Sequence, residues 1–416
     1  MAAPKSNLGM MPGAHSVPIE PDLLAFSPSE YRDRLNRLRA LMSQQKIDLL
    51  YLTSPEAVCW AHGFFASWYK GHGPMRYPNL YGTAVHVDSD EFIHFDAPNE
   101  VAVLARRSVS RDNRYFPSRE AGPNLQFIIS TLREKGWLSG TIGLEFWSYL
   151  PNRAVSTMFE GALLAEGCRV VDASAIVRRV RRVKSLKEIS YIEEAVRLAD
   201  IGHKEIQAKL RPGITELELF GEVTRAMMTA GSEFPALIPI FNVVPVHDGR
   251  SEITGHTMAG RTVIKTGDML KADLCGVYNR YHGNVMRGYF VGDPPKQMVE
   301  QHRRAAGAFE AMRTVKSGMT VREVNAILKA YLESAGLWDE PGWALGYELG
   351  ISMPPDWVGE FYFNARDDKY LDRVFEENMV TNFESLFGTW LVDTCVYQKS
   401  GTRFMSKLPL DIFGVG

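Results

Sequence analysis

Residues 213–218 read GITELE and residues 318–323 read GMTVRE, 105 positions apart. Both spell G-x-T-x-x-E, a glycine turn followed by a capping box. The threonine hydroxyl takes the backbone N–H three residues on, and the glutamate reaches back to the threonine N–H. Eighteen residues after the first glycine of each copy stands another, Gly231 or Gly336, where a helix can end in a left-handed residue. A helical segment precedes each copy. The one ahead of the first copy opens with its own box, Ser185 and Glu188. It carries Ile189, Ile192, Val196, Ala199 and Ile206 at helical spacing and stops at Arg211-Pro212-Gly213. Two matched boxes with matched glycines require a unit built twice, which implies a duplicated domain with a pseudo-two-fold axis.

The duplication leaves the first part of the chain unaccounted for, and 416 residues suit two domains. Residues 27–180 alternate helix-like and strand-like patterns. An amphipathic helix is expected over 31–45, a strand over 47–52, and two strands over 81–95 around the turn at Asp88, Ser89 and Asp90. This predicts an α/β domain at 27–180, an irregular Pro/Gly-rich arm at 1–26, and the duplicated domain at 181–416. Residues 68–81 (WYKGHGPMRYPNLY) read as a long aromatic loop carrying Trp68, Tyr69 and Arg76.

The net charge of −2 gives no global field for nucleic acid or anionic membrane. The dense basic run RRVRRVK at 178–184 reads as a solvated or interface segment. The four cysteines form no CxxC pair, which fits a reducing compartment. The N-terminal stretch lacks the apolar core of a signal peptide, and no apolar run reaches membrane-span length. The expected location is the cytoplasm.

In the duplicated domain, residues 269–277 and 281–291 read as the strands of a hairpin. A two-residue loop at Tyr278 and Asn279 would set Asp273 directly opposite Asn284, with Cys275 and His282 on the same face. The expected result is a small polar platform of Asp273, Asn284 and His282.

These features resemble the creatinase–aminopeptidase ("pita-bread") family. The resemblance implies a mixed α/β (α+β) chain, with a creatinase-like N-terminal α/β domain followed by a pita-bread catalytic domain. Metal-dependent members carry two aspartates on this hairpin, a histidine in a glycine-rich segment, and two glutamates on and before a second hairpin. Such a carboxylate cage holds two metals. Here Asp273 matches the first aspartate and Glu384, in NFES at 382–385, matches the first glutamate. Asn284, Tyr347 and Val392 fall at the other three positions, with Asp393 beside the last. A metal site is therefore not expected, and no cofactor is expected. His256, in ITGHT at 253–257, stands 11 residues before Gly267, the spacing of the creatinase base.

The segments GVYNRYH (276–282), GYELGISMPPDW (346–357) and FPALIP (234–239) are similar to ectoine hydrolases of this family. The departures are Asp273, where a glutamate is expected, and a longer loop at 68–81. The resemblance implies metal-independent hydrolysis of a non-peptide C–N bond in an amidine, guanidine or cyclic amide. In that reading His256 is general base and acid, and Asp273 and Glu384 hold the cationic nitrogens and orient water. His282 and Tyr347 donate hydrogen bonds, and Asn284, Trp357, Trp68, Tyr69 and Arg76 complete the substrate pocket. Asp356 is a turn former. The resemblance also implies a homodimer in which the N-terminal-domain loop of one subunit completes the partner's site. A small molecule is the expected partner; nucleic acid and membrane are not. Three other functions stay open: a metal-dependent Xaa-Pro aminopeptidase, a metal-free lyase in which His256 or Asp273 removes a proton, and a non-enzymatic binding module.

Overall fold

The computed structural model describes residues 22–66, 80–247, 250–251 and 255–415. The chain divides into two compact units that part between Arg181 and Arg182. Among the described residues no helix is long and apolar enough to cross a membrane.

In the first unit the elements are α1 (Pro28–Gln44), β1 (Leu49–Leu52), α2 (Pro55–His62), β2 (Gly82–His86), β3 (Phe92–Asp96), α3 (Val101–Arg107), β4 (Asp112–Tyr115), α4 (Ala121–Glu134), β5 (Thr141–Leu144), α5 (Arg153–Ala165), β6 (Arg169–Asp172) and α6 (Ser174–Arg182). Helix α1 begins earlier than its apolar period suggests, because Ser27 caps the Glu30 N–H and Pro28 supplies a preset first turn. The strands form a six-stranded mixed sheet in the order β4-β3-β2-β1-β5-β6. The pair β2 and β3 lies around the expected turn, antiparallel. Leu49, Tyr51, Ile93, Phe95 and Ile142 of the sheet pack with Ile128 and Leu132 of α4 and Phe159 of α5 in one core.

In the second unit the duplication is explicit. The elements are α7 (Leu186–Lys209), α8 (Glu216–Thr229), β7 (Ile240–Val244), β8 (Val246–His247), β9 (Arg250–Ser251), β10 (Met269–Tyr278), β11 (Tyr281–Val291), α9 (Lys296–Arg313), α10 (Val321–Ser334), β12 (Trp343–Tyr347), β13 (Tyr362–Asn364), β14 (Val380–Leu386), β15 (Trp390–Gln398), β16 (Gly401–Phe404) and β17 (Phe413–Val415). Helices α8 and α10 are both 14 residues long, and both open with the expected capping box. The central sheet runs β13-β12-β14-β15-β11-β10-β7, with β16 beside β15 and β17 beside β11. The hairpins β10–β11 and β14–β15, one per copy, meet where Met286 pairs with Val392.

Helix α7 packs on β10 and β11, and α9 on β14, β15 and β16. The first contact depends on Gly276 and Gly283, which face each other across the hairpin. A Cβ on Gly276 would overlap the Ala195 carbonyl of α7, and one on Gly283 would come within 2.6 Å of Val196. The missing side chains let the helix lie against the strands. Because residues alternate faces, Asp273, Cys275 and Asn284 point away from α7.

The hairpin turn differs from expectation. Its two-residue loop is Asn279–Arg280, both with positive φ (48° and 64°), and Tyr278 stays in the ladder opposite Tyr281. A two-residue turn with both residues at positive φ matches strand twist. Arg280 tolerates that backbone because its side chain is clamped. It pairs with Glu233 and donates to the Phe234 and Ser352 carbonyls. Asp273 therefore pairs with Met286, and Asn284 with Cys275. Moving the turn by one residue moves each partner by two, so the expected face survives although the expected partner does not.

Candidate functional site

On the face away from α7, one row of the sheet reads Asp273, Met286, Val392, Glu384 across β10, β11, β15 and β14. Two carboxylates thus stand at the ends of a row whose middle is apolar. In the neighbouring row Cys275 pairs with Asn284 and Thr394 with Asn382, and the Asn284 N–H donates to Thr394 Oγ1 at 2.8 Å. Two amides connect the carboxylates. Asn284 Nδ2 donates to Asp273 Oδ1 at 2.6 Å. Asn382 Nδ2 donates both to Asn284 Oδ1 at 3.2 Å and to Glu384 Oε1 at 2.9 Å. Asn382 Oδ1 in turn accepts the Tyr347 N–H at 2.9 Å. Asn284 and Asn382 are fully buried, and their amides are used on both the oxygen and the nitrogen side.

Burial pushes Asp273 up to about 6, against the hydrogen bond from Asn284 and the charge of Lys271, which pull it down. Glu384 is raised to about 7, first by burial and then by the Asp273 charge, while hydrogen bonds from Trp343, Asn382 and Tyr347 pull it back. Each carboxylate stands close to its protonation midpoint near neutral pH, as groups that exchange protons at active sites do. Tyr347 is held well above its usual range by burial and by both carboxylates. It is a neutral donor towards Glu384, and its own oxygen accepts from Trp357 Nε1 at 3.1 Å.

The three expected segments converge on the hairpin tip. Ala236 N–H donates to His282 Nε2 at 2.9 Å, and the His282 N–H donates to the Gly350 carbonyl. The Trp357 ring lies 6.4 Å from that of His282. His282 does not fill its expected role as a substrate donor. Its Nδ1 lies 2.9 Å from the Arg280 carbonyl, which requires Nδ1–H, and Nε2 accepts from Ala236. Both nitrogens are committed to the backbone, and burial lowers the imidazole to about 3. His282 is a neutral clasp between two segments. Trp357, 2% exposed, supports Tyr347 from behind and is wall rather than contact. Asp356 caps its own turn, accepting the Trp357 and Val358 N–H groups.

Asp393 lies on the opposite face, because its neighbour Val392 shares the row of Glu384. It is buried in an ion pair with Arg287 at 2.8 Å and accepts the Ser406 N–H. It is not available to the site. His256 is exposed on the segment after β9 and makes no hydrogen bond to any described residue. Trp68, Tyr69 and Arg76 lie outside the described residues.

Sequence reasoning passed over Lys271, Asn382 and Trp343. Lys271 and Asn382 each stand two residues before a carboxylate, so strand alternation puts them on the same face. Lys271 lies close enough to Asp273 and Glu384 for both charges to act on it, while burial lowers its pKa. Trp343 Nε1 donates to Glu384 Oε2 at 3.3 Å.

A duplicated pita-bread sheet with two carboxylates on its open face, preceded by a creatinase-type α/β unit, defines the class. Residues 190–406 match metallopeptidase family M24 and residues 34–183 match the creatinase/prolidase N-terminal domain. The chain belongs to the M24 family. It is 24% identical over 414 residues to ectoine hydrolase of Halomonas elongata, spanning 94% of this chain and 98% of that one. It is 24% identical over 386 residues to the Xaa-Pro dipeptidase of Pyrococcus furiosus, spanning 90% and 98%. Among solved structures, an Xaa-Pro dipeptidase from Bacillus anthracis superposes with a TM-score of 0.73 at 20% identity, covering 92% of this chain and all (100%) of that one. An X-Pro aminopeptidase from Thermotoga maritima gives 0.71 at 19%, covering 92% and 99%. These structures establish the fold.

The family name implies metal, and the donor set here does not fit a two-metal cage. Two of its five positions are carboxylates. A third is an amide whose nitrogen already points at Asp273, the fourth a neutral phenol and the fifth a valine. Among the described residues no group of three or more His, Cys, Asp and Glu side chains converges as a metal site.

Proposed function

We propose that the chain hydrolyses a non-peptide C–N bond in a small nitrogen compound, an amidine, guanidine or cyclic amide, without a bound metal, and the site's charge favours the cationic amidines and guanidines among these. The observation that carries this reading is the amide bridge from Asp273 through Asn284 and Asn382 to Glu384. It ties two buried carboxylates into one hydrogen-bonded unit on one face of the sheet, with the Asn284 amide standing where a second metal-binding aspartate would act. With both carboxylates ionised and Lys271 protonated, the side chains sum to one negative charge, which matches one amidinium. A protonated amidine carbon is already electrophilic, so the remaining need is a base for water and an acid for the leaving nitrogen. His256 takes a proton from the attacking water and returns it to the departing nitrogen, an exchange suited to an imidazole. The C–O bond forms as the C–N bond breaks, giving an amine together with an amide from an amidine, a urea from a guanidine, or an acid from a cyclic amide. Tyr347 holds Glu384 in place. The likeness to ectoine hydrolase along most of both chains supports this reading.

The Xaa-Pro dipeptidase relatives favour a second reading, metal-dependent cleavage of an Xaa-Pro bond. One experiment separates the two. Metal content of the untagged protein is measured by mass spectrometry with and without chelator. The protein is then followed by proton NMR with ectoine, creatine, acetamidine and an Xaa-Pro dipeptide. Turnover of one of the first three, with metal well below one equivalent and no effect of chelator, is expected. About two equivalents of metal and chelator-sensitive dipeptide cleavage would overturn the proposal. The same reading includes a homodimer, which sedimentation analysis tests; a monomer at micromolar concentration would exclude it.

A further inference from the structure

Lys271 is 7% exposed on β10, two residues before Asp273 and on the same face. A lysine this enclosed needs partners for its charge. Its Nζ donates to the Gly255 carbonyl at 3.2 Å and lies 5.4 Å from the centre of the Trp390 ring. Both carboxylates of the site act on it, and it acts on Asp273 in return. Gly255 is the residue before His256. On the other side of His256, the Thr257 carbonyl accepts the Phe241 N–H of β7 at 2.9 Å. His256 thus stands exposed between two carbonyls that are each tied down. One is held by the neighbouring strand's backbone and the other by the side chain that also faces the carboxylates.

We propose that Lys271 is a positioning residue of this site. Its ammonium offsets one of the two carboxylate charges, and its bond to Gly255 holds the His256 segment beside them. The second role deepens the proposed function and rests on it for the part His256 plays; the charge role does not. A lysine that only fills space would affect packing, whereas this one sets the charge the site presents and the anchoring of one segment.

Three variants of the full chain separate the two tasks. Lys271→Met removes charge and bond. Lys271→Gln removes the charge and keeps a donor for Gly255. Lys271→Arg keeps both. Two readouts are used: hydrogen exchange of the Phe241 amide, whose acceptor is Thr257, and calorimetric binding of acetamidinium at low salt. Lys271→Met is expected to exchange Phe241 about tenfold faster, with β11 amides unchanged, and to bind acetamidinium about tenfold more tightly because a repelling cation is gone. Lys271→Gln is expected to keep slow exchange and show the tighter binding, and Lys271→Arg to match wild type in both. If Lys271→Met does not fold, Lys271→Gln decides the charge role and Lys271→Leu, which also lacks the donor to the Gly255 carbonyl, the anchoring. Exchange and affinity within twofold of wild type in Met and Gln variants overturn the proposal, as does absence of acetamidinium binding in every form. The expected shifts without turnover of ectoine, creatine or acetamidine would instead remove the hydrolase reading and leave Lys271 in place.

Discussion

Asn284 Nδ2 lies 2.6 Å from Asp273 Oδ1, so the position where the family's metal enzymes carry a second aspartate here supplies a proton donor to the first. Asn284→Asp turns this attraction into repulsion between buried carboxylates and also weakens the link to Asn382. A loss on the order of 2 kcal/mol at pH 7.5 is expected, recovered at pH 5 as the pair shares a proton. Thermal melts at the two pH values check this. Recovery with added Mn²⁺ at pH 7.5 would show that the aspartate rebuilds a metal site. A variant as stable as wild type at pH 7.5 would mean the amide is not bridging.

Glu384 contributes to stability with a sign opposite to that of an ordinary salt-bridged carboxylate. Its native pKa, about 7, is above its usual 4.5, and Asp273, about 6, is above its usual 3.8. Between these limits the native state binds more protons than the unfolded chain. Stability therefore falls as pH rises from about 4 to about 7 and levels off above. Glu384→Gln removes its share of that loss. The half-buried residue is partly screened, so a gain on the order of 1–2 kcal/mol is expected at pH 8 and little at pH 5. Denaturant midpoints at the two values measure it. An equal effect at both would mean Glu384 ionises freely.

The duplication, the capping boxes and the hairpin strands were legible because each is a local pattern. Thr215 and Thr320 cap three residues away, and strand alternation needs no distant partner. The face of Asp273 was legible even though the turn was displaced by one residue, because parity survives such a shift. The fate of His282 was not legible. Its family position suggested a donor, but its tautomer is fixed by Ala236 and Arg280, and the first of these lies 46 residues away. Asp393 was one residue from a ligand position, and only the pairing of Val392 with Glu384 shows that it points at Arg287. Lys271 was passed over because an acidic motif drew attention to Asp273, while the two-residue period that places them together had already been used.

His282 is a test of clasp against contact. His282→Ala leaves the buried Ala236 N–H and Arg280 carbonyl without side-chain partners and opens a gap beside Trp357. A loss of about 3 kcal/mol is expected from those terms. Acetamidinium affinity, measured well below the lowered melting temperature, is expected to stay within threefold of wild type. Native His282 stays neutral while the unfolded imidazole, with its usual 6.5, takes up a proton at pH 5, so His282→Ala also removes a wild-type penalty there: the loss should be full at pH 8 and smaller by on the order of 2 kcal/mol at pH 5. A large affinity loss with stability intact would return it to the substrate pocket.

Cation binding itself should be linked to protons. In the empty site Asp273 and Glu384 retain protons near neutral pH, because burial and mutual repulsion disfavour the doubly ionised pair. An amidinium supplies the missing positive charge, so it binds the ionised pair best and expels what protons remain. Affinity should rise with pH through the window from about 6 to about 7, become level above it, and fall steadily below it. The two carboxylates are coupled, so the titration belongs to the pair. Calorimetry of acetamidinium at pH 6.5 in two buffers of different ionisation enthalpy should show release of about one proton per cation bound. Glu384→Gln should bind more weakly and release less. Affinity that is constant from pH 5 to pH 8 would mean that the cation is held elsewhere, and Asp273 and Glu384 would then be a buried structural pair.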